Sequence, residues 1–282
     1  MVENRPVLTI LRHLVLGLGV VIVLFPVWVA FVASTHPQAA LMSGAAPLLP
    51  GDRLVENYSR LLASGMSQAG GTPVGLMLLN SFIMALLIAT GKIAVSLVSA
   101  FAIVYFRFPF RMVAFWIIFL TLMLPVEVRI LPTFEVIADL GMLNSYAGLT
   151  IPLVASATAT FLFRQFYLTI PDELAEAARM DGAGPMRFFR DILLPLSRTN
   201  IAAIFVIMFL FGWNQYLWPL IVTTDESYTT IVMGIYRMVN VSDEQPQWHL
   251  VMATAMLALL PPVVVILVMQ RLFVKGLVET EK

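Results

Sequence analysis

From residue 76 to about residue 105 the chain runs for 30 residues with Lys92 as its single charged side chain. At 1.5 Å per residue a helix of that length reaches about 45 Å, more than the roughly 30 Å of a bilayer's hydrocarbon. Segments 14–33, 112–131, 146–163, 201–222 and 250–272 also come close to the apolar length that a spanning helix needs, roughly 20 residues. A backbone in lipid must satisfy its own hydrogen bonds, and apolar runs do so as helices. The expected fold is therefore an all-α integral membrane protein with six transmembrane helices. Composition agrees, since 12% of the 282 residues are charged, against roughly 25% in a soluble domain.

Segment 14–33 follows Arg5 and Arg12 and runs into Ala33 and Ser34, in the manner of a secretory signal. Its apolar stretch is longer than the roughly 7 to 15 residues of a cleaved signal's core, so a retained anchor is expected. With the N-terminus inside, loops on that side hold twelve Lys and Arg, and those on the other side hold Arg53, Arg60, Arg129 and Arg237. Positive loops stay in the cytoplasm, which puts the chain in the cytoplasmic (inner) membrane with both termini on the cytoplasmic side. The expected organisation is a cytoplasmic N-terminus and anchor (1–34), an external loop (35–75), a core (76–272) and a cytoplasmic tail (273–282). Residues 52–62 read as a short amphipathic helix, followed by a Gly-rich stretch ending at Pro73. The outer loops are solvated connectors or a docking surface for a partner.

Zero formal net charge removes the basic excess that would hold a nucleic acid. The absence of cysteine excludes disulfides, thiol catalysis and Cys-based zinc sites, and His13, His36 and His249 are too scattered for a metal site.

The segment between the fourth and fifth spans, 169–195, is the most informative. Thr169 with Asp172 forms a capping-box-like pair, Pro171 suits a first helical turn, and Asp172 and Glu173 complement the helix dipole. Gly182 is placed to end that helix in a left-handed conformation. Pro185 can open a second helix, expected to stop before Pro195. Leu174, Ala177, Ala178 and Asp181 recur at i, i+3, i+4, i+7, and the small side chains on that face suit close approach by a partner; an amphipathic helix on the membrane surface is the alternative.

Glu176-Ala177-Ala178, three residues, Gly182, nine residues, Ile192, one residue and Leu194-Pro195 resemble the EAA loop of binding-protein-dependent ABC import permeases. Further stretches carry the likeness along most of the chain: 78–82, 106–109, 124–132, 212–219, 261–265 and the tail 270–278. The terminal Glu279-Thr280-Glu281-Lys282 departs from the small, basic endings of sugar-permease relatives. The resemblance implies a MetI-like permease core of a type I ABC importer, in which the loop is a coupling helix seated in a cleft of an ATPase. Glu176 would meet a basic or polar group there, and Gly182 would set the turn between the two short helices. It also implies a homologous second permease around a pseudo-twofold axis, two ATPase subunits that use ATP and Mg, and an extracytoplasmic binding protein. Among such permeases the likeness is greatest to those importing sn-glycerol 3-phosphate, with maltodextrin or another sugar as the alternative.

No phosphate loop occurs, since Gly91-Lys92-Ile93 lacks the glycine spacing and the hydroxyl. ATP hydrolysis therefore falls to separate subunits, and no cofactor is expected on this chain. A membrane-embedded enzyme is disfavoured, because no catalytic constellation recurs within the spans. An ion-coupled secondary transporter is the distant alternative.

Ionisable residues at membrane depth are costly and usually functional. Lys92, near the middle of the second span, is positioned to offer charge to a phosphate in a translocation path, or else to snorkel or to pair with a neighbouring helix. Glu127 and Arg129, between Pro125 and Pro132, suit an outer gate or interfacial anchoring, and at i, i+2 they face apart on a helix. Asn214 and Gln215 lie in the aromatic cluster of the fifth span and suit a cavity wall or helix contacts.

Overall fold

The computed structural model describes residues 6–43, 47–65, 71–121, 126–241 and 245–279, with the backbone alone for 6, 126–127 and 271–279. The described residues form helices and no strand. In chain order these are α1 (Pro6–Ser34), α2 (Gln38–Met42), α3 (Leu54–Ser64), α4 (Val74–Tyr105), α5 (Arg111–Leu120), α6 (Val126–Asp139), α7 (Tyr146–Thr150) and α8 (Ala157–Tyr167). They continue with α9 (Asp172–Met180), α10 (Pro185–Phe188), α11 (Leu194–Leu196), α12 (Arg198–Trp213), α13 (Leu217–Val222), α14 (Ile231–Val239) and α15 (Trp248–Glu279).

Contacts divide the chain into two units, one of residues up to Gly75 with Gly234–Leu260, the other of Leu76–Met233 with residues from Pro261 onward. In the first unit most of α1 exposes Val, Leu and Ile along its length, as a helix bathed in lipid would. Its end is fastened. Asn57 of α3 donates to the carbonyls of Ser34 (2.8 Å) and His36 (3.1 Å), and Thr35 Oγ1 accepts from the Gly51 amide at 2.7 Å. The short helix expected over 52–62 is thus α3, and its single buried amide side chain ties segment 35–64 to the anchor.

In the second unit two of the expected spans are interrupted within the described residues. Among the described residues of the whole chain, three helical stretches are long and apolar enough to cross a membrane: Val7–Ser34, Val74–Tyr105 and Trp248–Gln270. The expected span 146–163 is α7, a 3₁₀ turn and α8, bent by 48°. Pro152 removes a ladder donor there, and Ser156 restarts the helix by accepting from the Ala159 amide at 3.2 Å. The expected span 201–222 is α12 and α13, separated at 214–216, where Pro219 leaves the preceding turn without a donor. The expected span 112–131 holds apolar α5 and the start of α6, with residues 122–125 between them outside the described residues.

The core of this unit is Met84, Ile88, Ile137, Leu149, Trp218 and Val222. Trp218 donates its indole N–H to the Gly148 carbonyl at 3.1 Å. The backbones of α4 and α12 meet closely: a Cβ on Gly212 would lie 2.8 Å from the Ala85 Cα. Small residues at such a crossing bring the helices into the van der Waals contact that holds membrane bundles together.

Candidate functional site

Two regions of the second unit gather the residues singled out in the sequence. The first is loop 169–195. Thr169 is not a cap: its hydroxyl donates back to the Phe166 carbonyl at 2.7 Å, at the end of α8. The N-cap of α9 is Pro171, with extended ψ, so this proline precedes the first turn and does not lie in it. Gly182 does end α9, with φ +73°. The Ala183 amide donates to the Ala178 carbonyl (2.8 Å) and the Gly182 amide to that of Arg179 (3.0 Å), a Schellman closure that satisfies two orphan carbonyls.

The second short helix runs past Pro195. A π-helical turn over Phe189–Leu193 joins α10 to α11, and a 73° bend follows before α12. The wider turn relieves the clash between a proline ring and the carbonyl four residues back, which is why the helix is not stopped. Ser197 closes the bend by donating its hydroxyl to the Leu193 carbonyl at 2.6 Å.

The two alanines of the signature face different surroundings. Ala178 is buried with Ala175 against the chain itself, where they, Phe101, Tyr105 and Phe188 line a cavity of about 260 Å³. Leu174, Ala177 and Asp181 are exposed, as are Glu176 and Met180. Small side chains at 175 and 178 let α9 settle on the end of α4, while the Tyr105 and Phe188 rings meet at 5.2 Å. Glu176 shares a polar groove with Arg107, Arg111, Asp172 and Arg179. Ile192 and Leu194 are half-buried, Pro195 is exposed, and Leu193 between them is fully buried.

The second region is a cavity of about 410 Å³ lined by Lys92, Ser99, Thr121, Arg129, Thr158 and Phe211, among others. It draws walls from α4, α5, α6, α8 and α12. Lys92 is only 6% exposed, and its Nζ sits 3.9 Å from the centroid of the Phe211 ring on α12. It is therefore not snorkelled; it packs on a neighbouring helix through a ring and not a carboxylate. A desolvated cation–π contact gives about 2 kcal/mol or more, which offsets much of the roughly 2.5 to 3.5 kcal/mol that a lysine costs at the centre of a spanning helix on insertion scales.

Arg129 reaches the same cavity from α6. The side chain of Glu127 lies outside the described residues. Asn214 and Gln215 sit in the break between α12 and α13 and do not line this cavity. Gln215 instead donates to the Phe211 carbonyl at 3.1 Å, capping the helix that presents the Phe211 ring.

The sequence reading missed Phe211, Ser99 and the clamp beside them, in which Thr160 donates to Ser96 Oγ at 3.1 Å, joining α8 to α4. A signal was present: Lys92, Ser96 and Ser99 recur at i, i+4, i+7, a polar stripe on an apolar helix. It also missed Asn80, fully buried, in the 78–82 stretch; its partner segment at 227–231 is remote in sequence.

Comparison with known proteins places these regions in a context. Residues 92–279 match the family model described as binding-protein-dependent transport system inner membrane component. The chain is 60% identical over 282 residues, the whole of both chains, to the sn-glycerol-3-phosphate transport system permease protein UgpE of Agrobacterium fabrum. The same-named proteins of Rhizobium meliloti and Salmonella typhi are 59% and 60% identical, again over all of each chain. A solved chain of a bacterial ABC transporter involved in the import of the acidic polysaccharide alginate superposes with a TM-score of 0.80 at 23% identity, covering 96% of this chain and 98% of that one; it shares the fold.

Proposed function

The chain belongs to the family of binding-protein-dependent transport system inner membrane components, membrane permeases of ABC importers, and from that premise we propose that it carries sn-glycerol 3-phosphate across the cytoplasmic membrane. The observation that carries the substrate is end-to-end identity of 60% with permeases that bear that substrate in their name. In this reading both termini lie in the cytoplasm, and a homologous permease, two ATPase subunits and an extracytoplasmic binding protein complete the machine.

Loop 169–195 is the coupling element. Glu176, Ala177, Met180 and Asp181 form the exposed face of α9 and its C-terminus that an ATPase cleft would grip. Ala178, Gly182, Ile192, Leu194 and Pro195 shape the loop behind that face. ATP and Mg act at the ATPase subunits. Their closure pulls α9, whose Ala175 and Ala178 line one cavity with Tyr105 at the end of α4, while Phe188 of α10 meets the Tyr105 ring at 5.2 Å. Lys92 lies 13 residues up the same rigid helix, about 20 Å away at 1.5 Å per residue. A shift of α9 therefore reaches the cavity without any flexible connection, in keeping with alternating access by rigid-body movement.

The test is uptake of labelled glycerol 3-phosphate into vesicles holding the full complex. Uptake that needs ATP and Mg and survives a protonophore is expected. Uptake of maltodextrin in its place would contradict the substrate, and uptake driven by an ion gradient without ATP would contradict the importer.

A further inference from the structure

We infer that the cavity between Lys92 and Arg129 is a transit site for the phosphate group of a small phosphate monoester, an inference that rests on the substrate reading above. The cavity's volume of about 410 Å³ falls within the range of small-molecule sites, roughly 300 to 1,000 Å³. Among the described residues its two ionisable wall residues are both cations and no carboxylate lines it. Lys92 is 6% exposed yet makes no ion pair among the described residues. A carboxylate partner would neutralise the ammonium and engage its donors. A ring does neither, so Phe211 holds the charge in place and leaves its N–H groups free for an anion.

The helix break beside Lys92 adds to the positive character. Gly91 has no side chain, and a Cβ there would lie 2.8 Å from Val154 Cγ2, so α4 lies directly against the break between α7 and α8. The first turn of α8 contributes Ala157 and Thr158 to the cavity wall. A helix start carries partial positive charge, and interrupted helices whose half-helix N-termini face an anionic substrate are a recurring solution in transporters. Ser99, Thr121 and Thr158 bring hydroxyls to the wall, suited to the glycerol end of such an ester. A phospholipid headgroup offers the same phosphate chemistry, and the experiment separates the two sources.

The assembled complex in vesicles is compared as wild type, Lys92→Met, Lys92→Arg and Arg129→Gln, with labelled glycerol 3-phosphate and a saturating binding protein. We expect Lys92→Met to lower uptake at least tenfold while the thermal midpoint of the complex stays level or rises, since a buried charge has been replaced by an apolar group of similar volume. Lys92→Arg should recover much of the uptake, and Arg129→Gln, at an exposed position, should show a smaller loss. Lys92→Met uptake within twofold of wild type overturns the inference. So does a joint collapse of uptake and midpoint that arginine does not rescue, which makes Lys92 a structural tie. A phospholipid that co-purifies with wild type and is lost in Lys92→Met, with uptake intact, assigns the charge to lipid and overturns it as well. Wild-type complex that moves maltodextrin and no phosphate ester contradicts the substrate reading instead.

Discussion

Tyr146 donates its hydroxyl to Asn80 Oδ1 at 2.6 Å, and the same carboxamide donates through Nδ2 to the carbonyls of Ser227 (2.7 Å) and Thr229 (3.0 Å). Asn80 is fully buried, so one side chain on α4 satisfies a neighbouring helix and a returning loop at once. Ser81 continues the fastening by accepting from the Ile231 amide at 2.7 Å.

Replacing Asn80 with alanine would leave those partners unsatisfied. Each buried unpaired group costs about 1–3 kcal/mol, so Asn80→Ala should destabilise the membrane-embedded protein by at least about 3 kcal/mol. Asn80→Asp, which keeps the acceptor and loses both donors, should not rescue it. Denaturant midpoints in bicelles check both, and a midpoint for Asn80→Ala within error of wild type would contradict the assignment.

The crossing of α4 and α12 should tolerate no side chain at Gly212. A methyl there would meet the Ala85 Cα at 2.8 Å, backbone that cannot swing aside, whereas a methyl at Gly91 meets the tip of Val154 at the same distance. Gly212→Ala is therefore expected to lower the thermal midpoint more than Gly91→Ala, and to reduce the yield of assembled complex. Equal effects would show that the helices separate easily.

How far the sequence could be read differs by region, for physical reasons. The apolar runs and the loop signature were legible because hydrophobicity and spacing are local properties. Gly182 was legible because a left-handed helix end is a local demand. The breaks within the fourth and fifth spans were not, since Pro152 and Pro219 interrupt helices without lowering apolar content. The π turn that carries the chain past Pro195 was not legible either, because a proline ordinarily marks a helix end. Thr169 was misjudged because its hydroxyl had two candidate helices to serve and closes the earlier one. The burial of Ala178 depends on Tyr105 and Phe188, residues far from it or hidden within an aromatic run. Lys92 was recognisable as costly, but its ring partner and the cavity required the packing of α12 against α4.

The loop after α13 carries a pH-sensitive turn. Asp225 accepts from the Ser227 amide (2.9 Å) and hydroxyl (2.8 Å), and these bonds, the backbone one first, hold its carboxyl below the ordinary value. A depressed folded-state value means that the stabilisation is present above the ordinary aspartate range and disappears as pH falls through the folded-state value. The Ser227 amide resonance should accordingly titrate with a midpoint below 3.8, and Asp225→Asn should abolish that titration. A midpoint at or above the ordinary value would contradict the turn.

Gly182 tests the loop's backbone apart from its contacts. Nothing lies within 4 Å of a Cβ built there, so Gly182→Ala introduces left-handed strain and no clash. At about 1–2 kcal/mol this should speed hydrogen exchange at the Ala183 amide by roughly ten-fold, through the Schellman closure, while global unfolding is unchanged. A shift in global unfolding would place Gly182 inside the cooperative core instead.

The measurement that bears most directly on the central claim is simultaneous ATP hydrolysis and glycerol 3-phosphate uptake in vesicles holding the complete complex with Glu176→Lys in this chain. Glu176 is exposed on α9, so its replacement should leave this subunit folded and inserted. The account expects uptake to fall at least tenfold and hydrolysis to lose its stimulation by the loaded binding protein, with the subunits still co-purifying. Wild-type uptake and stimulation in that variant would contradict the assignment of loop 169–195 as the coupling element.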